Sequence, residues 1–499
     1  MRSRFTGRFM ACLLLLSACA GLAQAATLRL AYDAGFGGAE SLDPYSPTRF
    51  FFTTQAMYNR LVRQEDDGSA GPDLATSWSV SGDARTWTFH LRDGVRFHSG
   101  KLLSAQDVVY SLYHALDPER GSPVRSTLKI MDRIEAVDRL TVRIHLKSAH
   151  ADLPLLLLDQ RCGIIPEGSA DSIERTGDGT GPFRLVENDP EGVTVLEANP
   201  GYWEGPPGVE RVEIVAIPDQ VAQIQAMLAG QIDYLPSINR RQLKLFENHP
   251  GYIVQTIRTG HWPGMVMRTD MVPFDDPNVR RAMRMVVDRE DMVRLVLGEG
   301  GGEPSCDTPV WAGDKYHAQR HCPQDVGQAK ALLSEAGYPD GIDVDLYTSS
   351  VDKSFVSMAE VYQNQAASAG IRVKIHQVPA DGYWTDTWMQ EPFVATRWNQ
   401  RPADQILNEA FRSGAAWNET YWHNAQFDRA LDRARKEVNE KRRRELYVRT
   451  QQLLYDDGGA LIPFHLNVNR VFSSKLRNLP PETELFVRWQ YIGKTENEE

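Results

Sequence analysis

The alternation of apolar and polar positions predicts the first elements of the chain. Residues 86–92 (TWTFHLR) alternate with a period of two, as a half-buried strand does, and residues 93–94 (DG) then predict a tight hairpin turn into residues 95–97. The period becomes helical over residues 108–116, directly after residues 104–107 (SAQD), which have the pattern of a capping box. A β-hairpin followed by a helix is therefore predicted before residue 120.

Two later segments repeat the order strand, helix, strand. Their predicted elements are residues 210–217, 219–229 and 232–235 in the first segment, and residues 342–347, 353–369 and 371–378 in the second. Gly230 and Gly370 each close the helix of their segment. This alternation predicts at least two α/β cores. Apolar spacing in residues 427–454 predicts two further helices with a break near Asn439.

The N-terminus has the pattern of a secretory signal, and it has two candidate endings. Three arginines precede the apolar run 9–16, and small residues follow it. Residues 23–25 (AQA) fit signal peptidase cleavage before Ala26, whereas residues 16–19 (LSAC) resemble a lipobox in which Cys19 would be acylated. Either ending predicts export, with the periplasm as the expected location.

Charge and hydropathy limit the partners of the exported chain. The 499 residues carry 55 Lys and Arg against 66 Asp and Glu, a formal net charge of −11, and the loss of the leader arginines makes it more negative. Glutamates flank the basic run 441–444, which is therefore interpreted as a solvated helix face. Nucleic acid is not expected as a partner. After Ala26, apolar runs fall short of the ~20 residues that span a bilayer.

Three cysteines remain after the leader. In an oxidising compartment Cys306 and Cys322 could close a short loop and leave Cys162 over, and three unpaired thiols are the alternative. Their spacing does not match the Cys-x-x-Cys pairs of structural zinc or redox sites.

The sequence lacks the usual signatures of an exported enzyme. Motifs for a serine nucleophile, a metalloprotease helix and a phosphate-binding loop are all missing, so no catalytic residue, metal ligand or cofactor is assigned. Aromatic residues instead cluster late in the chain around a few charges, as a small-molecule site requires. The cluster comprises Tyr383, Trp384, Trp388, Trp398, Trp417, Tyr421 and Trp422, with Arg397, Arg401, Arg412 and Asn418 between them.

Several longer motifs resemble one known family. They are PDLATSW (72–78), TWTFHLRDGVRFHSGKLLSAQDVVYSLYHALDP (86–118), GTGPF (179–183), ANPGYWEGPP (198–207), PFDDPNVRRAM (273–283) and AKALLSEAGYPDG (329–341). In this order they resemble the bacterial extracellular solute-binding proteins of the peptide and nickel class, family 5. The resemblance extends over nearly the whole exported chain.

The resemblance implies an α/β fold of the periplasmic-binding-protein type, a type II clamshell of two lobes and three domains that encloses a solute. The expected divisions are a signal peptide (1–25), a lobe 1 core domain (26–70, 185–275 and 465–495), a lobe 1 accessory domain (71–184) and a lobe 2 domain (276–464). It also implies an ABC importer in the inner membrane, with its permease and ATPase, as partner. The chain is expected to act as a monomer without enzymatic activity.

The resemblance also directs attention to residues 398–404 (WNQRPAD). Peptide-binding members place an aspartate three residues after the tryptophan, where it pairs with the peptide α-amine, and the matching residue here is Arg401. A cation at an enclosed site would repel an ammonium group and suit an anion. Asp404 could replace the missing anchor, or it could pair with Arg401 so that neither touches the ligand.

The predicted ligand is therefore a peptide or peptide-like solute with an anionic group. Its candidate binding residues are Trp398, Arg401, Asn418, Asp404, Arg397, Trp417 and Tyr32. A metal chelate or haem in the same fold is the first alternative. An exported hydrolase is the alternative from a different class.

Overall fold

The computed structural model describes residues 26–65, 67–481 and 487–495. The predicted signal peptide and Cys19 lie outside these residues. The strands are β1 (Thr27–Tyr32), β2 (Val62–Gln64), β3 (Ala70–Pro72), β4 (Ala75–Val80), β5 (Thr86–Leu91), β6 (Met131–Asp138), β7 (Thr141–Leu146), β8 (Phe183–Glu187), β9 (Val193–Ala198), β10 (Arg211–Ala216), β11 (Tyr234–Leu235), β12 (Tyr252–Arg258), β13 (Trp262–Met267), β14 (Gly302–Pro304), β15 (Ile342–Ser349), β16 (Ile371–Val378), β17 (Phe393–Trp398), β18 (Ala460–Leu461), β19 (Phe464–Ser473), β20 (Leu476–Arg477) and β21 (Gly493–Lys494).

Helices fill the segments between these strands. The α-helices are α1 (Phe51–Met57), α2 (Ala105–Leu116), α3 (Arg125–Leu128), α4 (Leu153–Leu156), α5 (Ile173–Thr176), α6 (Gln220–Leu228), α7 (Arg240–Leu243), α8 (Pro277–Met285), α9 (Arg289–Val296), α10 (Val326–Glu335), α11 (Phe355–Ala367), α12 (Ala403–Ala410), α13 (Ala425–Lys436) and α14 (Glu440–Asp457). Short 3-10 and π segments occupy Pro118–Arg120 and Tyr383–Thr387. In the described part of the chain, no helix combines the length and apolar character needed to cross a bilayer.

Three larger sheets organise the molecule. One has the strand order β12-β19-β11-β1-β10-β9-β8, with β14 paired to β19, and a smaller one has the order β4-β5-β7-β6. A single apolar core joins these two sheets, since Leu30 and Ile214 of the first belong to the same buried cluster as Phe89 and Ile144 of the second. We call this unit lobe 1 and its smaller sheet the accessory sheet. The remaining large sheet, β16-β15-β17-β13-β18, forms lobe 2 with helices α8 to α14.

In the described chain two adjacent segments connect the lobes, and a further contact forms where β14, between α9 and α10 of lobe 2, pairs with the start of β19. The chain leaves lobe 1 after β12 and enters lobe 2 at β13, and it returns from β18 to β19. In lobe 1, β19 pairs antiparallel with β12, so the outgoing and returning segments lie side by side. Two adjacent crossovers of this kind form a hinge between two lobes, as in hinge-closing binding proteins.

Most of the predicted elements are confirmed. Strands β10 and β11 both pair parallel with β1. Strand β15 pairs parallel with β16, and α11 is the crossover between them. The two late helices appear as α13 and α14 with the break near Asn439. The capping box is also present, because the Asp107 carboxylate accepts hydrogen bonds from the backbone and hydroxyl of Ser104, both at 2.9 Å.

The predicted hairpin at residues 86–97 is wrong. Strand β5 pairs instead with β4 and β7, both antiparallel. Residues 93–94 do turn, with Gly94 at φ 77°, but the chain beyond them makes a tight loop of its own, in which the Phe97 amide donates to the Lys101 carbonyl at 2.9 Å. Burial of Val95 and Phe97 in the lobe 1 core explains their apolar character. An apolar–polar alternation with a period of two indicates a half-buried strand, but it does not determine which strands pair with it.

A disulfide joins Cys306 to Cys322 across 16 residues, and Cys162 is a free, buried thiol. Replacing both bonded cysteines by serine is expected to destabilise lobe 2 by ~3 kcal/mol, the loop-closure entropy that the crosslink removes from the unfolded chain. Thermal unfolding with and without reductant measures this. Reductant should lower the wild-type melting temperature and leave the double variant unchanged, whereas an equal fall in both would contradict the assignment to this bond.

Candidate ligand-binding site

A cavity of about 450 Å³ lies between the two lobes where β17 ends. We call it the interlobe cavity. Lobe 1 contributes Arg49, Phe51, Leu158, Asp159, Gln160 and Arg161, and lobe 2 contributes His261, Trp311, Gly313, Asp314, Lys315, Asn399, Gln400, Arg401 and Pro402, among other residues. Its volume is in the range of small-molecule sites, and a ligand inside it would contact both lobes.

Arg401 is the cation that the loop after β17 brings to this cavity. Its side chain is 31% exposed, and its nearest ion pair is a long one, 3.7 Å from Nε to Oε2 of Glu409. Its Nη1 donates to the carbonyl of the preceding Gln400 at 3.3 Å, while Nε is buried without a hydrogen-bond partner among the described residues. The guanidinium therefore keeps donors available for a ligand.

Lobe 1 adds two arginines on the opposite wall. Arg49 is buried, stacks over the ring of Phe51 at 4.8 Å and donates to the carbonyl of Gln160 at 3.1 Å. Burial, with the charge of neighbouring Arg161 acting in the same direction, lowers the pKa of Arg49 to about 9. A pKa near 9 leaves the group charged at neutral pH. Arg161 has a long pair of 3.7 Å to Asp159, and its Nε is a buried donor without a partner in the described chain.

The carboxylates of the cavity offset these charges only in part. Asp314 is committed to the backbone, because its oxygens accept from the amides of Tyr316 at 2.8 Å and Ala403 at 2.9 Å. Burial raises the pKa of Asp314 to about 6. Among the described lining residues, arginines and Lys315 thus outnumber the two aspartates. A cavity between two lobes with excess positive charge favours an anionic occupant.

A second cavity of about 760 Å³ adjoins the first on the hinge side. The two share Gln64, Gly68, Trp311 and Gly313 in their walls. At this boundary the lobes approach closely, since a Cβ on Gly68 would come within 2.7 Å of the Gly313 carbonyl. His465 and Asn467 of β19 line the hinge cavity, and each has a buried polar atom without a partner among the described residues. A ligand longer than the interlobe cavity has room to extend in this direction.

Asp404 is placed in a buried network rather than in the interlobe cavity. Its carboxylate accepts from Arg435 at 2.8 Å and from Tyr447 at 2.9 Å, and it contacts His150 Nε2 at 3.0 Å. Burial by itself would raise the pKa of Asp404, but Arg435 and His150 hold it well below its usual range. The alternative in which Arg401 pairs with Asp404 is wrong, because Arg401 is paired with Glu409.

Trp398 and Trp417 lie together near the cavity without lining it. The two rings are 5.8 Å apart in an edge-to-face contact, with Trp398 buried and Trp417 47% exposed. Trp417 faces another space between the lobes, of about 900 Å³. The stacking of Trp398 on a ligand stays a prediction.

Sequence reasoning missed the residue beneath Trp398. The Trp398 indole donates from Nε1 to the buried carboxylate of Glu419 at 2.8 Å, and the same carboxylate accepts from Thr396 at 2.7 Å and from the indole of Trp388. A single glutamate between polar residues gives no local signal of such a role. Asn418 beside it is buried, with its amide donating to the carbonyl of Trp422 at 2.7 Å.

Arg397 and Tyr32 have partners away from the interlobe cavity. Arg397 is 53% exposed and pairs with Asp352 at 3.1 Å. Tyr32 is buried at the end of β1, where its hydroxyl donates to Glu40 at 3.1 Å. Burial, followed by the charge of Glu40, raises the pKa of Tyr32 well above its usual value. Neither residue lines the interlobe cavity, so the ligand contacts predicted for them are not made there.

Two lobes, two adjacent crossovers and a cavity between the lobes define the class of type II periplasmic binding proteins. The model of the family "Bacterial extracellular solute-binding proteins, family 5 Middle" matches residues 69–418, and the chain belongs to this family. Its members are solute-binding proteins of the periplasm or cell exterior that deliver ligands to ABC importers. The predicted family and fold class are confirmed.

Similar proteins bind different solutes in this fold. The Di/tripeptide-binding protein 2 of Pseudomonas aeruginosa is 28% identical over 501 residues, which cover 91% of this chain and 93% of that protein. Heme-binding protein A of Haemophilus influenzae is 27% identical over 453 residues, which cover 82% and 81%. Among solved structures, HbpA2 from Haemophilus parasuis has a TM-score of 0.83 at 22% identity, covering 94% of this chain and 100% of that one.

Proposed function

We propose that this protein captures an anionic peptide or peptide-like solute between its lobes and delivers it to an ABC importer. The observation that carries the proposal is the convergence of Arg401 from lobe 2 with Arg49 and Arg161 from lobe 1 on one cavity between the lobes. Two of these arginines retain a buried Nε without a partner among the described residues. A carboxylate bound between them would contact both lobes and so favour the closed form.

Membership of the family supports the remaining assignments. We infer a monomer without enzymatic activity, exported through the signal peptide 1–25 to the periplasm, with Cys19 as the lipidation site if the lipobox is used. The predicted domain boundaries at residues 71, 185 and 465 belong to the same proposal. The boundary at 276 is wrong, because β13 (Trp262–Met267) is already a strand of the lobe 2 sheet. The importer's permease and ATPase are its inferred partners.

Metal is expected to arrive only as part of a solute. The described residues contain no group of three or more His, Cys, Asp or Glu side chains that could hold an ion. Haem and metal chelates that carry carboxylates would still suit a cationic cavity. Haem is therefore included as a second class of probe in the binding screen described next, because one relative is named as a haem-binding protein.

A thermal-shift screen of the solute-free protein tests the function. The probes are free-amine dipeptides, N-acetylated dipeptides, dicarboxylates and haem. A ligand at ~100 times its Kd stabilises the folded state by about 2.7 kcal/mol, which raises the melting temperature by a few degrees. Stabilisation by N-acetylated and dicarboxylate probes is expected. Stabilisation by free-amine dipeptides in preference to their acetylated forms would overturn the anion proposal, and release of substrate fragments would show an enzyme.

A further inference from the structure

We propose that the segment after the accessory sheet is a latch that holds the two lobes closed and fixes the loop that carries Arg401. The segment comprises residues 149–158, which follow β7 and include α4. Three of its leucines, Leu155, Leu156 and Leu158, line the interlobe cavity, and its polar residues make buried contacts between the lobes.

The latch is anchored to lobe 1 by its backbone. The His150 amide donates to the Ala84 carbonyl at 2.8 Å, and the indole of Trp87 donates to the His150 carbonyl at 3.0 Å. Leu153 and Leu157 pack in the lobe 1 core. Leu155, between them, instead belongs to the lobe 2 core. One turn of helix therefore inserts an apolar residue of lobe 1 into the other lobe.

Buried polar contacts then cross between the lobes. The Ala151 amide donates to the Arg435 carbonyl of lobe 2 at 2.8 Å, and two side-chain contacts lie beside it. His150 Nε2 lies 3.0 Å from Oδ2 of Asp404, and both side chains are at most 5% exposed. The backbone amide of Asp152 donates to Nδ1 of the same ring at 3.2 Å, so Nδ1 is an acceptor and the ring proton is on Nε2. His150 consequently donates to Asp404.

The second contact involves Asp152. Its carboxylate accepts from the Tyr316 hydroxyl at 2.8 Å and forms an ion pair with Arg443 at 3.0 Å, both in lobe 2. All three side chains are buried or nearly so. In an open form these charged groups would be hydrated by water. Each contact therefore stabilises the closed form only if every buried donor and acceptor finds a partner when the lobes meet.

The latch also reaches the solute-binding loop. Asp404 lies in the first turn of α12, three residues after Arg401, and its carboxylate is held on one side by Arg435 of lobe 2 and on the other by His150 of lobe 1. Closure of the latch thus fixes the start of α12 against both lobes. Arg401 is held in the cavity by the same contact.

The test measures lobe separation in the solute-free protein, so it does not depend on the identity of the ligand. Spin labels on cysteines introduced at the exposed residues Asp132 of the accessory sheet and Glu360 of α11 report the distance between the lobes. Of the described cysteines, Cys162 is buried and Cys306 and Cys322 are bonded to each other, so they do not compete for the label. The variant is His150→Leu, which removes the donor but leaves Asp404 paired with Arg435.

We expect His150→Leu to lower the closed-to-open ratio about tenfold, the factor for one hydrogen bond to a charged group. His145→Leu is the matched control, because His145 pairs with Glu135 at 3.0 Å within the accessory sheet and makes no contact across the lobes through that pair. His150→Gln, which can still donate to Asp404, is expected to restore most of the closed population. A distance distribution for His150→Leu that coincides with those of wild type and His145→Leu overturns the latch.

The positioning of Arg401 rests on the proposed function and has its own readout. Affinity for the best anionic probe of the screen should fall in His150→Leu and be restored in His150→Gln. If lobe separation changes while no anionic probe binds even the wild type, the latch stands and the anion proposal fails. If probes bind all variants equally and lobe separation is unchanged, the latch fails and the anion proposal stands.

Discussion

Replacing Arg401 by aspartate is expected to weaken the binding of an anionic solute by at least ~30-fold. Removing one partner of an enclosed, hydrogen-bonded charge pair costs about 2 kcal/mol or more, and the new carboxylate would add repulsion. Arg401 lines the cavity and its Nε makes no hydrogen bond to the described residues, whereas Arg49 and Arg161 remain on the opposite wall, so binding should be weakened rather than abolished. Isothermal titration calorimetry with the best probe of the screen measures the change.

Arg397→Asp is the matched control for this variant. It makes the same change of charge four residues away, but Arg397 is 53% exposed and paired with Asp352 rather than directed at the interlobe cavity. Its affinity should stay within about twofold of wild type, since an exposed pair contributes little. Arg401→Lys should retain part of the affinity, because it keeps the charge without the planar fork of donors. Equal losses in Arg401→Asp and Arg397→Asp would indicate a general electrostatic effect and refute a specific anchor.

Elements with a strong local pattern could be predicted from the sequence. Strand β16 was predicted with the bounds that the structure has, because it alternates cleanly and follows a helix that ends at Gly370. Helix α2 was likewise fixed by its capping box and by Asp117, which begins the next turn. The prediction of a hairpin was wrong because the sequence around β5 indicates a strand and a turn but not the strand's partners. Those partners are β4 and β7, which lie in other segments of the chain.

The site was predictable only where a motif marks it. Arg401 was found by its spacing from Trp398, and it does line the interlobe cavity. Arg49 and Arg161 carry no local signal, because they reach the cavity through contacts between segments more than a hundred residues apart, such as the bond from Arg49 to Gln160. Asp404 was interpreted as a ligand residue because its partners could not be seen: His150 lies 254 positions away in the chain.

Glu419 carries the second large expected effect. Glu419→Ala should lower the stability of lobe 2 by ~3–6 kcal/mol, since it leaves buried donors of Trp398, Trp388 and Thr396 without an acceptor and opens a cavity. The melting temperature should fall by at least ~5 °C. Tryptophan emission should shift to the red at temperatures well below the transition, because two of the three donors are indoles.

The isosteric variant Glu419→Gln separates the charge from the shape. Burial raises the pKa of Glu419 above its usual value, and the donors of Thr396, Trp398 and Trp388 oppose the shift. A raised pKa means that the folded state binds the proton more tightly than the unfolded state. The contribution of this group is therefore fully present below the unfolded pKa of about 4.3 and is lost as pH rises through the folded pKa.

Glu419→Gln has no such titration, so the stability of wild type relative to this variant should decrease from pH 4 towards neutral pH. Chemical denaturation of both proteins at a series of pH values measures the difference. At neutral pH the variant should still be the less stable of the two. The introduced amide has one acceptor oxygen for the donors of Thr396, Trp398 and Trp388, and its N–H groups would face donors to which the carboxylate oxygens are acceptors. A difference that grows with pH would mean that the three donors outweigh burial and lower the pKa of Glu419 in the folded protein. In either case the buried Glu419 carboxylate holds Trp398, from which the loop to Arg401 starts, so the position of Arg401 at the interlobe cavity depends on Glu419.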